Sequence, residues 1–171
     1  IQRMAEMGIE VEKGDPALSR ILDIVKAREA EGYSYDAAQA SFELLARQEL
    51  GVLPVYFDVR RYRVTVERQR DEMGRRRTLS EAVVVVDIGG ERKLSVSESH
   101  DEEGSDRGPV NALSKALAKD LGPYQEIIDD LHLVDFKVRI TQGGTEAVTR
   151  VIIDSEDSSG RRWSTVGVSP N

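Results

Sequence analysis

The sequence contains no cysteine, and its 171 residues include only two histidines and one tryptophan. Without a thiol, cysteine nucleophiles, disulfides and cysteine-based zinc sites are excluded. No apolar run approaches the roughly 20 residues that a helix needs to span a bilayer. The opening residues, IQRMAEMGIEVEKG, lack the charged-then-apolar layout of a signal peptide. Positive charge is in deficit: 24 lysines and arginines face 31 aspartates and glutamates, for a net charge of −7. That balance argues against nucleic acid or an anionic membrane as partner. What is present is 39% hydrophobic and 32% charged. The apolar residues recur with clear periods, which marks a globular chain.

The first part reads as helical. The opening stretch resembles the tail of an amphipathic helix ending at Gly8 or Gly14, so the chain is expected to begin inside something larger. Asp15 followed by Pro16 has the form of an N-cap with proline at the first helical position. Leu18, Ile21, Leu22 and Val25 then fall at helical spacing, up to Gly32. Ser34 is expected to cap a further helix carrying Phe42, Leu44, Leu45 and Leu50, stopped by Gly51. Residues 1–52 are therefore expected to form a helical linker subdomain.

After Pro54 the period changes to that of strands, with Tyr62, Val64 and Val66 alternating with polar residues. Residues 68–77 read as a charged turn, 81–88 as a strand, Gly89-Gly90 as a hairpin dipeptide and 93–98 as its return strand. Gly108-Pro109 opens a helix ended by Gly122-Pro123, and a second helical stretch covers 124–131. The later strands repeat the earlier ones. Phe136-Lys137-Val138 matches Tyr62-Arg63-Val64, TEAVTRV at 145–151 matches SEAVVVV at 80–86, and the run from Gly160 loosely matches that from Gly90. The expected fold is thus α+β: a regulatory-size domain at 53–171 made of duplicated βββα units, unit one at 53–131 and unit two at 132–171. In this reading the helix of the second unit is missing from the chain.

Catalytic constellations are scarce. His100 and His132 show no ligand spacing, and Asp101, Glu102 and Glu103 lack a calcium-loop pattern. The Gly-Gly pairs at 89–90 and 143–144 read as turns, and Arg75-Arg76-Arg77 as a solvated basic turn. Gly108-Pro109 differs, because it sets bare amides at the start of a helix, where an anionic group can dock. Gly167-Val168-Ser169-Pro170 is its counterpart loop in the second unit.

Several ordered blocks carry a family resemblance. They are Gly108-Pro109-Val110-Asn111-Ala112-Leu113, Leu133-Val134-Asp135-Phe136-Lys137-Val138-Arg139, Gly144-Thr145, and Trp163-Ser164-Thr165-Val166-Gly167-Val168-Ser169. Together they resemble the C-terminal regulatory, dimerisation region of the isopropylmalate synthase group. The block from Glu31 to Leu45 resembles its citramalate synthase branch. The resemblance implies a non-catalytic fragment of a cytoplasmic acyltransferase that condenses acetyl-CoA with a 2-oxo acid on the route to isoleucine. A divalent metal and acetyl-CoA are implied for a separate TIM barrel with a His-x-His motif, which this sequence lacks. No cofactor is implied for the fragment itself. The implied partners are a second copy of the chain, the parent's own barrel, and a branched-chain amino acid effector, isoleucine or alternatively leucine. The positions implied for effector binding are Gly108, Pro109, Val110, Ala112, Leu133, Phe136, Val168 and Pro170. Arg107 stands where the family commonly has asparagine, and Phe136 where tyrosine is frequent, which removes one hydroxyl contact. A stand-alone small-molecule-sensing or dimerisation module is the alternative class.

Overall fold

The computed structural model describes residues 2–100, 108–142 and 147–170. Along the chain run helices α1 (Gln2–Glu6), α2 (Pro16–Ala30) and α3 (Gln39–Glu49), then strands β1 (Asp58–Arg70), β2 (Arg76–Ile88) and β3 (Glu91–His100). Helix α4 (Gly108–Ala118), a 3-10 turn (Gly122–Tyr124) and helix α5 (Gln125–Asp129) follow. Strands β4 (His132–Gln142), β5 (Val148–Glu156) and β6 (Arg162–Pro170) complete the order. The strands form two antiparallel three-stranded sheets, β1-β2-β3 and β4-β5-β6, so the α+β class with a duplicated strand pattern is the observed one. The chain divides into two compact units, Val55–Asp130, and Ile1–Pro54 with Leu131–Asn171. The expected helical segment is thus grouped with the second set of strands. The acidic loop residues 101–106, Arg107, and Gly143 to Glu146 lie outside the described residues.

In the unit Val55–Asp130, β2 is central and explains the valine run. Ala82, Val84, Val86 and Ile88 alternate on one face and are buried with Ala112, Ala116 and Leu121. Alanine at 82, 112 and 116 keeps side chains short where α4 crosses the sheet. Val85, on the opposite face, is buried as well. Gly89 and Gly90 have φ of +59° and +83°, the backbone of a tight hairpin turn that only glycine adopts without strain. The charged turn expected over 68–77 is shorter, because pairing continues to Arg70 and Arg76. Past α4 the chain is fixed by Gln125. Its Oε1 accepts from Leu121 N at 3.0 Å, and its Nε2 donates to Ala118 O at 2.8 Å.

In the other unit, Met4, Ile9, Ile21 and Ala46 form a small helical core flanked by Leu18, Val25, Phe42 and Leu50. Asp15 caps α2 as expected, accepting from Ala17 N at 2.8 Å. Helix α1 ends before Gly8, whose φ is +69°. Ser34 does not cap α3, which starts at Gln39 with Ala38 at the cap position and no side-chain cap bond. The intervening segment turns instead, with Ala38 N donating to Tyr35 O at 3.2 Å, and buries both Tyr35 and Ala38. Apolar burial outweighs a single capping hydrogen bond there. Ser41 then meets the edge of the sheet, where its hydroxyl accepts from Val166 N at 2.9 Å. An edge-strand amide is thereby satisfied.

Strand register gives the duplication a stricter form than the strings do. β1 bulges at Arg60, between Val59 and Arg61, and β4 bulges at Val134, between Leu133 and Asp135. Each bulge falls two residues after the strand begins. Tyr62 pairs with Val84 and that with Ser95, while Phe136 pairs with Ile153 and that with Thr165. Val84 therefore corresponds to Ile153, whereas matching SEAVVVV to TEAVTRV sets it against Thr149. The string match is corrected by the register. A run of valines carries little positional information, while a bulge pins the pairing.

Candidate functional site

Helix α4 presents the first group of candidates. Gly108 opens it with φ +88°, and no acidic residue occupies its first turn. Amides at the start of an α-helix, with the helix dipole, favour a negatively charged group. Pro109 is exposed and Val110 is 48% exposed, so this end is accessible. Ala112 is fully buried in the core beneath β2. Its contribution is to let α4 approach the sheet closely.

The second group lies on β4 and β6. Leu133 pairs with Ser155 and Phe136 with Ile153, residues that share a face of β5. In a regular strand, positions three apart would face opposite ways; the extra residue at Val134 restores them to one side. Both are accessible, at 53% and 45% exposure. Val168 pairs with Arg150 and Pro170 with Val148, which belong to the other face. The sheet therefore separates Leu133 and Phe136 from Val168 and Pro170. Residues 167–170, expected as a loop, are the last stretch of β6. They extend because Val148 and Thr149 offer pairing partners.

No sequence pattern marks a hollow of about 490 Å³ in the same unit, which is lined by Met7, Asp36, Glu43, Val134, Asp154 and Trp163 among others. None of the candidate residues lines it. Asp154 at its wall accepts from Ser164 Oγ at 2.6 Å and from Lys137 Nζ at 3.3 Å. The Ser164 hydrogen bond, followed by that from Lys137, holds the Asp154 carboxyl below its ordinary range. Among the described residues no three His, Cys, Asp or Glu side chains gather to hold a metal ion, and no helix is long and apolar enough to cross a membrane.

Comparison with known proteins gives these elements a family. The chain is 38% identical over 173 aligned residues to (R)-citramalate synthase of Aquifex aeolicus, covering all of this chain and 31% of that protein. It is 36% identical to (R)-citramalate synthase of Geobacter sulfurreducens, with the same coverage. It is 40% identical over 166 residues to that of Synechocystis, covering 96% of this chain and 29% of the relative. The chain thus spans less than a third of the length of these curated relatives. The sequence profile of the LeuA allosteric (dimerisation) domain matches residues 36–171, taking in both sheets and α4, and the chain belongs to that family.

Proposed function

We propose that this chain is the regulatory portion of a citramalate synthase-type acyltransferase, acting as a homodimer that binds a branched-chain amino acid as feedback inhibitor. The observation that carries the reading is the 38% identity to a named (R)-citramalate synthase over the whole of this chain. In this proposal the parent condenses acetyl-CoA with pyruvate in the cytoplasm, on a separate metal-dependent barrel, and isoleucine is the effector. The carboxylate of the amino acid docks on the first-turn amides of α4 at Gly108 and Val110. Its side chain fills an apolar recess. Full burial of such a side chain contributes roughly 1.5–3 kcal/mol. Coupling of about 1–3 kcal/mol to the catalytic part is sufficient for inhibition.

Isothermal titration with isoleucine, leucine and valine tests this directly. Isoleucine is expected to give the strongest binding heat. Its discrimination from leucine is of the order of 1–3 kcal/mol, the usual scale for methyl placement in an apolar recess. Heat from none of the three rejects the sensor role, and heat from leucine alone reassigns the effector.

A further inference from the structure

The face of the second sheet that carries Val168 also carries a charge conflict. Register sets Arg139 of β4 directly opposite Arg150 of β5. Like charges in directly opposed cross-strand positions are destabilising. Among the described residues no carboxylate pairs with either one. Arg150 donates through Nε to the carbonyl of Gly32, a neutral acceptor. The neighbouring Lys137, by contrast, lies 3.3 Å from both Asp135 and Asp154. Asp154 is already engaged by Lys137 and by the hydroxyl of Ser164.

Arg139 is exposed and Arg150 half-buried. Together with Ser34, Ala37, Ile152 and the paired Lys137 and Asp154 they line a hollow of about 260 Å³ in this unit, in which Lys137 and Ser164 already engage the one carboxylate. Guanidinium forks bind carboxylates with two parallel hydrogen bonds, while Ala37 and Ile152 offer short apolar surface. The volume lies below the roughly 300–1,000 Å³ of sites for drug-sized ligands. It suits an acid of a few carbons. We infer that this hollow binds a short-chain carboxylate through Arg139 and Arg150, and that the ligand relieves the repulsion between them. The site involves none of the residues assigned to the amino acid effector.

Malonate is a suitable probe, titrated against sodium chloride of equal ionic strength and followed by calorimetry and thermal unfolding. Malonate is expected to raise Tm saturably. In Arg139→Ser the affinity should fall at least tenfold, while Tm without malonate stays the same or rises, because the opposed charge is gone. In Arg139→Lys the charge remains but the fork is lost, and affinity should again fall. A saturable response of equal strength in Arg139→Ser overturns the site. So does a lower ligand-free Tm in that variant, since the pair would then not be repulsive. A saturable effect of inorganic phosphate without one of malonate overturns the ligand class.

Discussion

Arg150, in β5, donates a hydrogen bond from Nε to the backbone carbonyl of Gly32, 118 residues earlier in the chain. The contact fixes the chain after α2 against the second sheet. Gly32 has φ +112°, and a Cβ there would lie 3.2 Å from Thr141 Oγ1 and 3.3 Å from Val148 Cγ1. Gly32→Ala therefore meets both backbone strain and crowding, and should cost more than about 1 kcal/mol. Arg150→Met removes the donor and should cost about 1–3 kcal/mol, provided the carbonyl stays shielded from water. Urea unfolding of both variants checks this, and a neutral Gly32→Ala would mean that the turn is not seated on the sheet.

In the other unit the decisive packing residue is Leu121, 1% exposed in the turn between α4 and Gly122 and packed with the valine face of β2. Leu121→Ala leaves a cavity that β2 and α4 cannot readily close, with an expected loss of about 2–5 kcal/mol. Val110→Ala, at an exposed position of α4, should change stability by no more than about 0.5 kcal/mol. Similar losses in the two variants would place the core elsewhere.

The elements were legible because their signals are local. Asp15-Pro16 marked α2, Gly89-Gly90 marked a hairpin, and the alternation at Tyr62, Val64 and Val66 marked β1. Ser34 misled because a capping preference of about 1 kcal/mol competes with burial of Tyr35 and Ala38 nearby. Cross-strand information was the harder part. The bulge at Val134 brings Leu133 and Phe136 to one face, and pairing places Arg139 against Arg150. Neither relation leaves a trace in composition or period, because each depends on which residue of a distant strand is opposite.

Two turns of the same design predict a dependence on acid. Asp71 accepts from the amides of Met73 and Arg75 and from the Arg75 side chain. Asp157 repeats this with Ser159 and Arg161, and also accepts from the Ser159 hydroxyl at 2.6 Å. The Ser159 hydroxyl, then the Arg161 side chain, lowers the Asp157 carboxyl from 3.8 to about 2. The folded state holds its proton less tightly than the unfolded chain. The stabilisation is therefore complete above the ordinary value and lost as pH falls through about 2. Asp157→Asn should be less stable than the parent near neutral pH and lose less on acidification. Thermal unfolding between about pH 5 and pH 2 makes the comparison. Parallel curves for the two proteins would remove Asp157 from the account of acid unfolding.

Anion docking at the start of α4 is tested most cleanly by charge at Val110. Gly108→Asp is the blunter change, since any L side chain at φ +88° strains the backbone, and lost binding would be confounded with altered folding. Val110 is 48% exposed, so Val110→Asp should leave the fold intact and add a carboxylate to the first turn. Negative charge there even favours the helix through its dipole, so Tm should hold or rise slightly. A bound amino acid carboxylate nearby would instead be repelled by about 1–4 kcal/mol, on the scale of two charges some 4 Å apart near a protein surface. Isoleucine affinity should accordingly fall tenfold or more, while Val110→Asn, of similar size to aspartate but uncharged, loses much less. Equal affinity in the aspartate and asparagine variants would show that the effector carboxylate does not sit at this helix end.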